Sequence, residues 1–132
     1  MAASGYSRTV LIVEDDPVLA LDLMGLLEGA GFEVLGVAES GEQALVLANV
    51  RSADVVLMDV NLSGGGGQLD GIETAALIFA AGGPSIVFVT GEPEAEVDAR
   101  RHALAGGSIA GAVVLAKPYS DAALLQAVRC AA

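Results

Sequence analysis

The chain has 132 residues, a length that builds one hydrophobic core rather than several. Hydrophobic residues make up 54% and aromatics 4%, with no Trp, so the core is aliphatic and wholesale disorder is excluded. Seventeen acidic against six basic residues give a net charge of -11, a field that repels nucleic-acid phosphates and anionic bilayers and argues against both as partners.

Residues 1–6 lack the charged, apolar and cleavage regions of a leader peptide and read as a flexible tail ahead of a single domain over 7–132. Residues 9–13 (TVLIV) form a buried strand that runs into Glu14, Asp15 and Asp16. Asp16 caps a helix that Pro17 opens, with Leu19, Leu23, Leu26 and Ala30 at helical spacing and Gly29 and Gly31 as its stop. A second strand over 33–37 leads to Ser40, and Gln43 three residues on gives a capping-box spacing for a helix over 41–50. The third strand, 54–58 (DVVLM), is apolar enough to be covered on both faces and ends on Asp59.

A run of four glycines then precedes Asp70, Gly71 and Glu73, where a cap and an acid three residues later restart helix over 71–81. Polyglycine loses much backbone entropy on ordering, so the loop over 63–69 is expected to be mobile. Gly82, Gly83 and Pro84 end the helix and interrupt the longest uncharged stretch, which therefore cannot span a bilayer. A fourth strand, 85–90 (SIVFVT), finishes on Thr90, and Pro93 begins a helix to about 105. The fifth strand, 112–116, finishes on Lys117 and Pro118, after which Ser120 caps a last helix carrying Leu124, Leu125 and Val128. One cysteine, Cys130, permits no internal disulfide, and with no membrane segment the expected location is cytoplasmic.

Five short apolar strands alternating with five helices indicate an α/β fold, a doubly wound parallel sheet with helices on both faces. At this size the flavodoxin-like order 2-1-3-4-5 is expected, and right-handed crossovers place the site where strands one and three diverge. The C-terminal ends of the strands carry Glu14, Asp15, Asp59, Thr90 and Lys117, which this fold brings to one rim. Three carboxylates converging there repel one another unless a cation joins them, and an all-oxygen set without His or Cys selects Mg²⁺ or a similar hard ion. A lone Lys and a Thr hydroxyl at the same rim suit a phosphoryl group, and a carboxylate nucleophile can become an acyl phosphate.

In the motifs VLIVEDDP, VVLMDVNL, DGIE, FVTGE and AKPYS, in that order and from residue 7 to the end, the chain resembles the receiver domain of two-component response regulators. The resemblance implies that Asp59 is the phosphoacceptor, charged by a sensor histidine kinase or phosphotransfer protein. It also implies that Glu14, Asp15, Asp59 and the backbone carbonyl of Asn61 hold Mg²⁺, and that Thr90 and Lys117 bind the phosphoryl oxygens. The output is expected to be a downstream protein reached by a stand-alone domain, with homodimerisation through the fourth or fifth helix left open. Two departures stand out. The residue three before the family's lysine, usually Tyr or Phe, is Val114, and the loop from Asp59 to Asp70 is longer than usual, with glycines in place of its usual Pro.

The alternative is a phosphorylation-independent interaction module on the same fold, which those two departures favour. An enzyme of the haloacid dehalogenase type would also use Asp and Mg²⁺, but it requires a second Asp two residues on, where Asn61 stands, so no turnover of a separate substrate is expected. The glycine run lacks the Lys-Ser/Thr ending of a nucleotide-binding loop. His102 beside Arg100 and Arg101 reads as a solvated helix face.

Overall fold

The alternation of apolar runs with capped helical segments is realised in the computed structural model, which describes residues 8–62, 69–104 and 109–131. Among the described residues the order is β1 (Thr9–Val13), α1 (Pro17–Gly29), β2 (Glu33–Ala38), α2 (Gly41–Val50), β3 (Val55–Asp59), α3 (Gly71–Ala80), β4 (Ser85–Thr90), α4 (Pro93–Ala103), β5 (Val113–Ala116) and α5 (Asp121–Ala131). All neighbouring strands pair in parallel, in the expected order β2-β1-β3-β4-β5. The tail over 1–6 and the glycine run within 63–68 lie outside the described residues.

Several boundaries move by a residue or two, each for a local reason. Asp54 stays outside β3 because it is tied to Thr9: its amide donates to Thr9 Oγ1 at 3.0 Å and its Oδ2 accepts the Thr9 amide at 2.9 Å. The strand instead takes in Asp59 at its other end. Helix α4 stops at Ala103 because Leu104 is extended, and β5 starts one residue late because Gly111, at φ 84, turns the chain first.

Helix starts follow the capping residues. Asp16 Oδ1 accepts from Val18 and Leu19, Asp70 and Glu73 form a complete capping box, and Ser120 Oγ accepts the Ala123 amide. At α2 only half of the box forms. Ser40 Oγ accepts the Gln43 amide, but Gln43 Oε1 takes the amide of Glu39 at 2.7 Å rather than that of Ser40.

The pleat sends successive strand residues to opposite faces. Leu11, Val13, Val56, Met58, Ile86 and Phe88 pack with Ala44 of α2, Ile72, Ala75 and Ile78 of α3, and Ala99 of α4. Val10, Ile12, Val55, Leu57, Val87 and Val89 pack with Leu23 and Leu27 of α1 and Leu124 and Val128 of α5. The connections after β1 and β3 therefore leave toward opposite faces, opening a crevice at the C-terminal ends of these two strands.

Candidate functional site

Strand β1 delivers Glu14 to the rim without a break, since the Glu14 amide donates to the Ala38 carbonyl of the neighbouring β2 at 2.9 Å. Glu14 Oε2 accepts the Asp16 amide at 3.1 Å, while the Asp16 side chain is engaged in capping α1. Asp16 thus supports the site through its backbone and the helix through its side chain.

Strand β3 ends on Asp59, whose Oδ1 accepts the Asn61 amide at 3.1 Å in a local turn that aims the carboxylate. The start of α3 is pressed against this turn: the Gly71 amide donates to the Val60 carbonyl at 3.0 Å. A Cβ at position 71 would lie 2.2 Å from the Asp59 carbonyl oxygen and 2.7 Å from Val60 Cα, so no other residue type permits this approach.

From these two strand ends, one carboxylate oxygen each of Glu14, Asp15 and Asp59 lies within 4.8 Å of the others. Glu14 is 4% exposed and Asp59 8%, so water does little to separate their charges. Burial first, and then the charge of Asp59, pushes the Glu14 carboxyl up to about 7 against the pull of the Asp16 amide. The Asp59 carboxyl is also raised by burial, opposed by the Asn61 amide and the positive charge of Lys117. Three acids of which two are buried, with an oxygen-only donor set, fit a hard divalent cation such as Mg²⁺, whose charge would offset both the burial and the mutual repulsion of these carboxylates.

Thr90 ends β4 and is fully buried. Its Oγ1 accepts the Glu92 amide at 3.2 Å and donates to the Glu92 carbonyl at 3.4 Å. The Lys117 amide donates to the Thr90 carbonyl at 2.7 Å, which draws the end of β5 alongside, and the Lys117 stem runs beside Gly91. All six candidate residues therefore occupy one rim. Glu14, Asp15 and Asp59 meet directly, Asn61 holds Asp59, Lys117 acts on Asp59 through its charge, and Thr90 stands on the adjacent strand with its hydroxyl engaged by Glu92.

Sequence reading missed Gly71, Glu92 and Tyr119. Gly71 had a signal, because glycine at a helix start needs a packing reason. Glu92 had none, since its part is played by the backbone. Tyr119 follows Lys117 and the cis Lys117–Pro118 peptide, and burial together with the charges of Glu14 and Asp59 raises its phenol above the ordinary value. Val114, the departure noted above, is half-buried beside Phe88 of β4 and packs into the core shared with α4.

The model of the response regulator receiver domain matches residues 10–129. The chain belongs to that family. Among relatives of this receiver domain, the phyllosphere-induced regulator PhyR of Methylorubrum extorquens is 31% identical over 121 residues, covering 91% of this chain and 42% of that protein. The transcriptional regulatory protein PdtaR of Mycobacterium tuberculosis is 32% identical over 130 residues, covering 98% of this chain and 59% of that protein. The receiver domain thus spans only part of either relative. The solved signal receiver domain of a modulated diguanylate cyclase from Desulfovibrio desulfuricans matches with a TM-score of 0.77 and 34% identity, over 96% of this chain and 94% of that one. Among the described residues, no helix of this receiver domain is long and apolar enough to cross a membrane.

Proposed function

We propose that this receiver domain accepts a phosphoryl group on Asp59 from a phosphohistidine of a sensor histidine kinase or phosphotransfer protein, and that the added charge alters its binding to a downstream protein. The observation that carries this reading is the meeting of the Glu14, Asp15 and Asp59 carboxylates within 4.8 Å, with the Lys117 charge acting on Asp59. A carboxylate oxygen of Asp59 attacks phosphorus as the bond from phosphorus to the donor imidazole breaks. The electron pair of that bond stays on the departing nitrogen. Glu14, Asp15, Asp59 and the Asn61 carbonyl would hold Mg²⁺, which when bound would supply positive charge to the transferring phosphoryl group.

The chain's own residues account for the rest. The Asn61 amide fixes the attacking carboxylate, and the Lys117 ammonium takes a phosphoryl oxygen as a point charge. The Thr90 hydroxyl donates to another only by leaving the Glu92 carbonyl, so phosphorylation alters the β4–α4 connection at Glu92. With Val114 too short to act as a rotating aromatic, that backbone link is the readout this receiver domain retains. Hydrolysis of the aspartyl phosphate resets it, and no separate substrate is turned over.

Incubation with MgCl₂ and acetyl phosphate tests the reading by intact-protein mass. A phosphate increment present in the native chain and lost in Asp59→Asn is the expected result. An increment that persists in Asp59→Asn, or none in the native chain, overturns it.

A further inference from the structure

Beside the acceptor rim, the residues after β3, the start of α3 and the first turns of α4 enclose a groove of about 640 Å³. Its floor is apolar, built from the buried Val60, Leu62 and Ile72 and the half-buried Ala95. Its edge is acidic, with Asp70, Glu92 and Glu94 exposed to solvent. Arg101, the cation among its described lining residues, already pairs with Asp98 on the next turn of α4. An apolar floor edged by three exposed carboxylates is complementary to an apolar side chain flanked by positive charges. The same edge repels nucleic acid and anionic lipid. Residues 63–68, which lead from Leu62 toward Asp70, carry no charge that would answer it.

We propose that this groove docks a Lys- or Arg-rich segment of a partner protein, with an apolar residue of the segment on Leu62, Ile72 and Ala95 and its cations on Glu92 and Glu94. The site borders the acceptor through Asn61, yet it draws on none of the groups that hold the phosphoryl group. It shares Glu92 with the Thr90 connection, so its test is made on the unphosphorylated chain, where its outcome does not depend on whether Asp59 accepts a phosphoryl group.

The test uses the unphosphorylated full chain and a fluorescein-labelled short peptide with one Leu flanked by Lys on both sides, followed by anisotropy in about 0.15 M NaCl. Glu92→Gln combined with Glu94→Gln is expected to weaken binding at least about fivefold, whereas Asp22→Asn combined with Glu28→Gln, which removes equal charge from α1 on the opposite face, changes it less than about twofold. Replacing the peptide Leu by Ser is expected to weaken binding by about threefold or more. Thermal melts of both variants verify folding. Equal weakening by the two double variants, indifference to the Leu, or absence of binding by the native chain overturns the proposal. A failed phosphate increment at Asp59 alongside this pattern removes the phosphoacceptor reading and leaves the groove intact.

Discussion

At Glu14, burial and the neighbouring Asp59 carboxylate act in the same direction, and the consequence reaches beyond the site. The folded chain holds this proton until about pH 7, whereas the unfolded chain releases it near the ordinary value of 4.5. Stability linked to Glu14 is therefore fully present below pH 4.5 and is lost as pH rises toward and through 7, and the raised Asp59 carboxyl adds in the same sense. We expect the urea midpoint, measured without divalent cations, to decline over this window, to decline less in Glu14→Gln, and to recover when MgCl₂ is added. A native profile identical to that of Glu14→Gln would show that burial does not hold this proton. Gly71 is the other residue with a sharp expectation. Gly71→Ala drives a methyl into the Asp59 carbonyl, and overpacking of this kind costs roughly 1–3 kcal/mol. Urea denaturation should show that loss, and the phosphate increment should fall with it, because the displaced backbone carries the acceptor.

Elements differ in how firmly the two cores hold them. Helix α3 buries Gly71, Ile72, Thr74, Ala75 and Ile78, whereas α4 buries only Ala99 and leaves Val97 exposed, as is Leu104 just past its end. Its solvent face is held by ion pairs of Arg100 with Glu96 and of Arg101 with Asp98, and exposed pairs of this kind contribute little. Local opening requires breaking few buried contacts there, so backbone amides of α4 should exchange with deuterium faster than those of α3. Protection in α4 equal to that in α3 would refute this ordering. The contrast bears on function, because α4 begins directly after Glu92, the residue whose backbone engages the Thr90 hydroxyl. A weakly anchored helix is the element that a change at Thr90 can displace with least resistance.

The molecule as a whole carries its acids in large excess, and its fold concentrates three of them at one point. Self-repulsion at a net charge of -11 opposes the compact state, and salt screens it. Raising NaCl from about 0.05 to about 0.5 M should lift the thermal midpoint by a few degrees, a shift of roughly 1 kcal/mol for a domain of this size. A midpoint that stays level or falls would mean that the acids are already balanced by local pairing.

The sequence by itself determined the alternation of strands and helices, because strand runs such as TVLIV and SIVFVT are apolar apart from Ser or Thr at their ends and because Asp16, Asp70 and Ser120 mark helix starts by local hydrogen bonds. It also determined which residue types stand at the strand ends, and so the chemistry available to the rim. Capping at Ser40 was only half legible, since whether Gln43 reaches Ser40 or Glu39 depends on the direction in which β2 enters the turn. Only the tertiary structure decided which ends are neighbours. Residues 14 and 59 meet because β1 and β3 pair side by side, and the burial and proximity that raise the Glu14 carboxyl to about 7 exist only after that pairing. The need for glycine at 71 and the apolar floor of the groove between α3 and α4 belong to the same class. Each arises where backbones distant in sequence come within van der Waals distance, and local propensity carries no record of that distance.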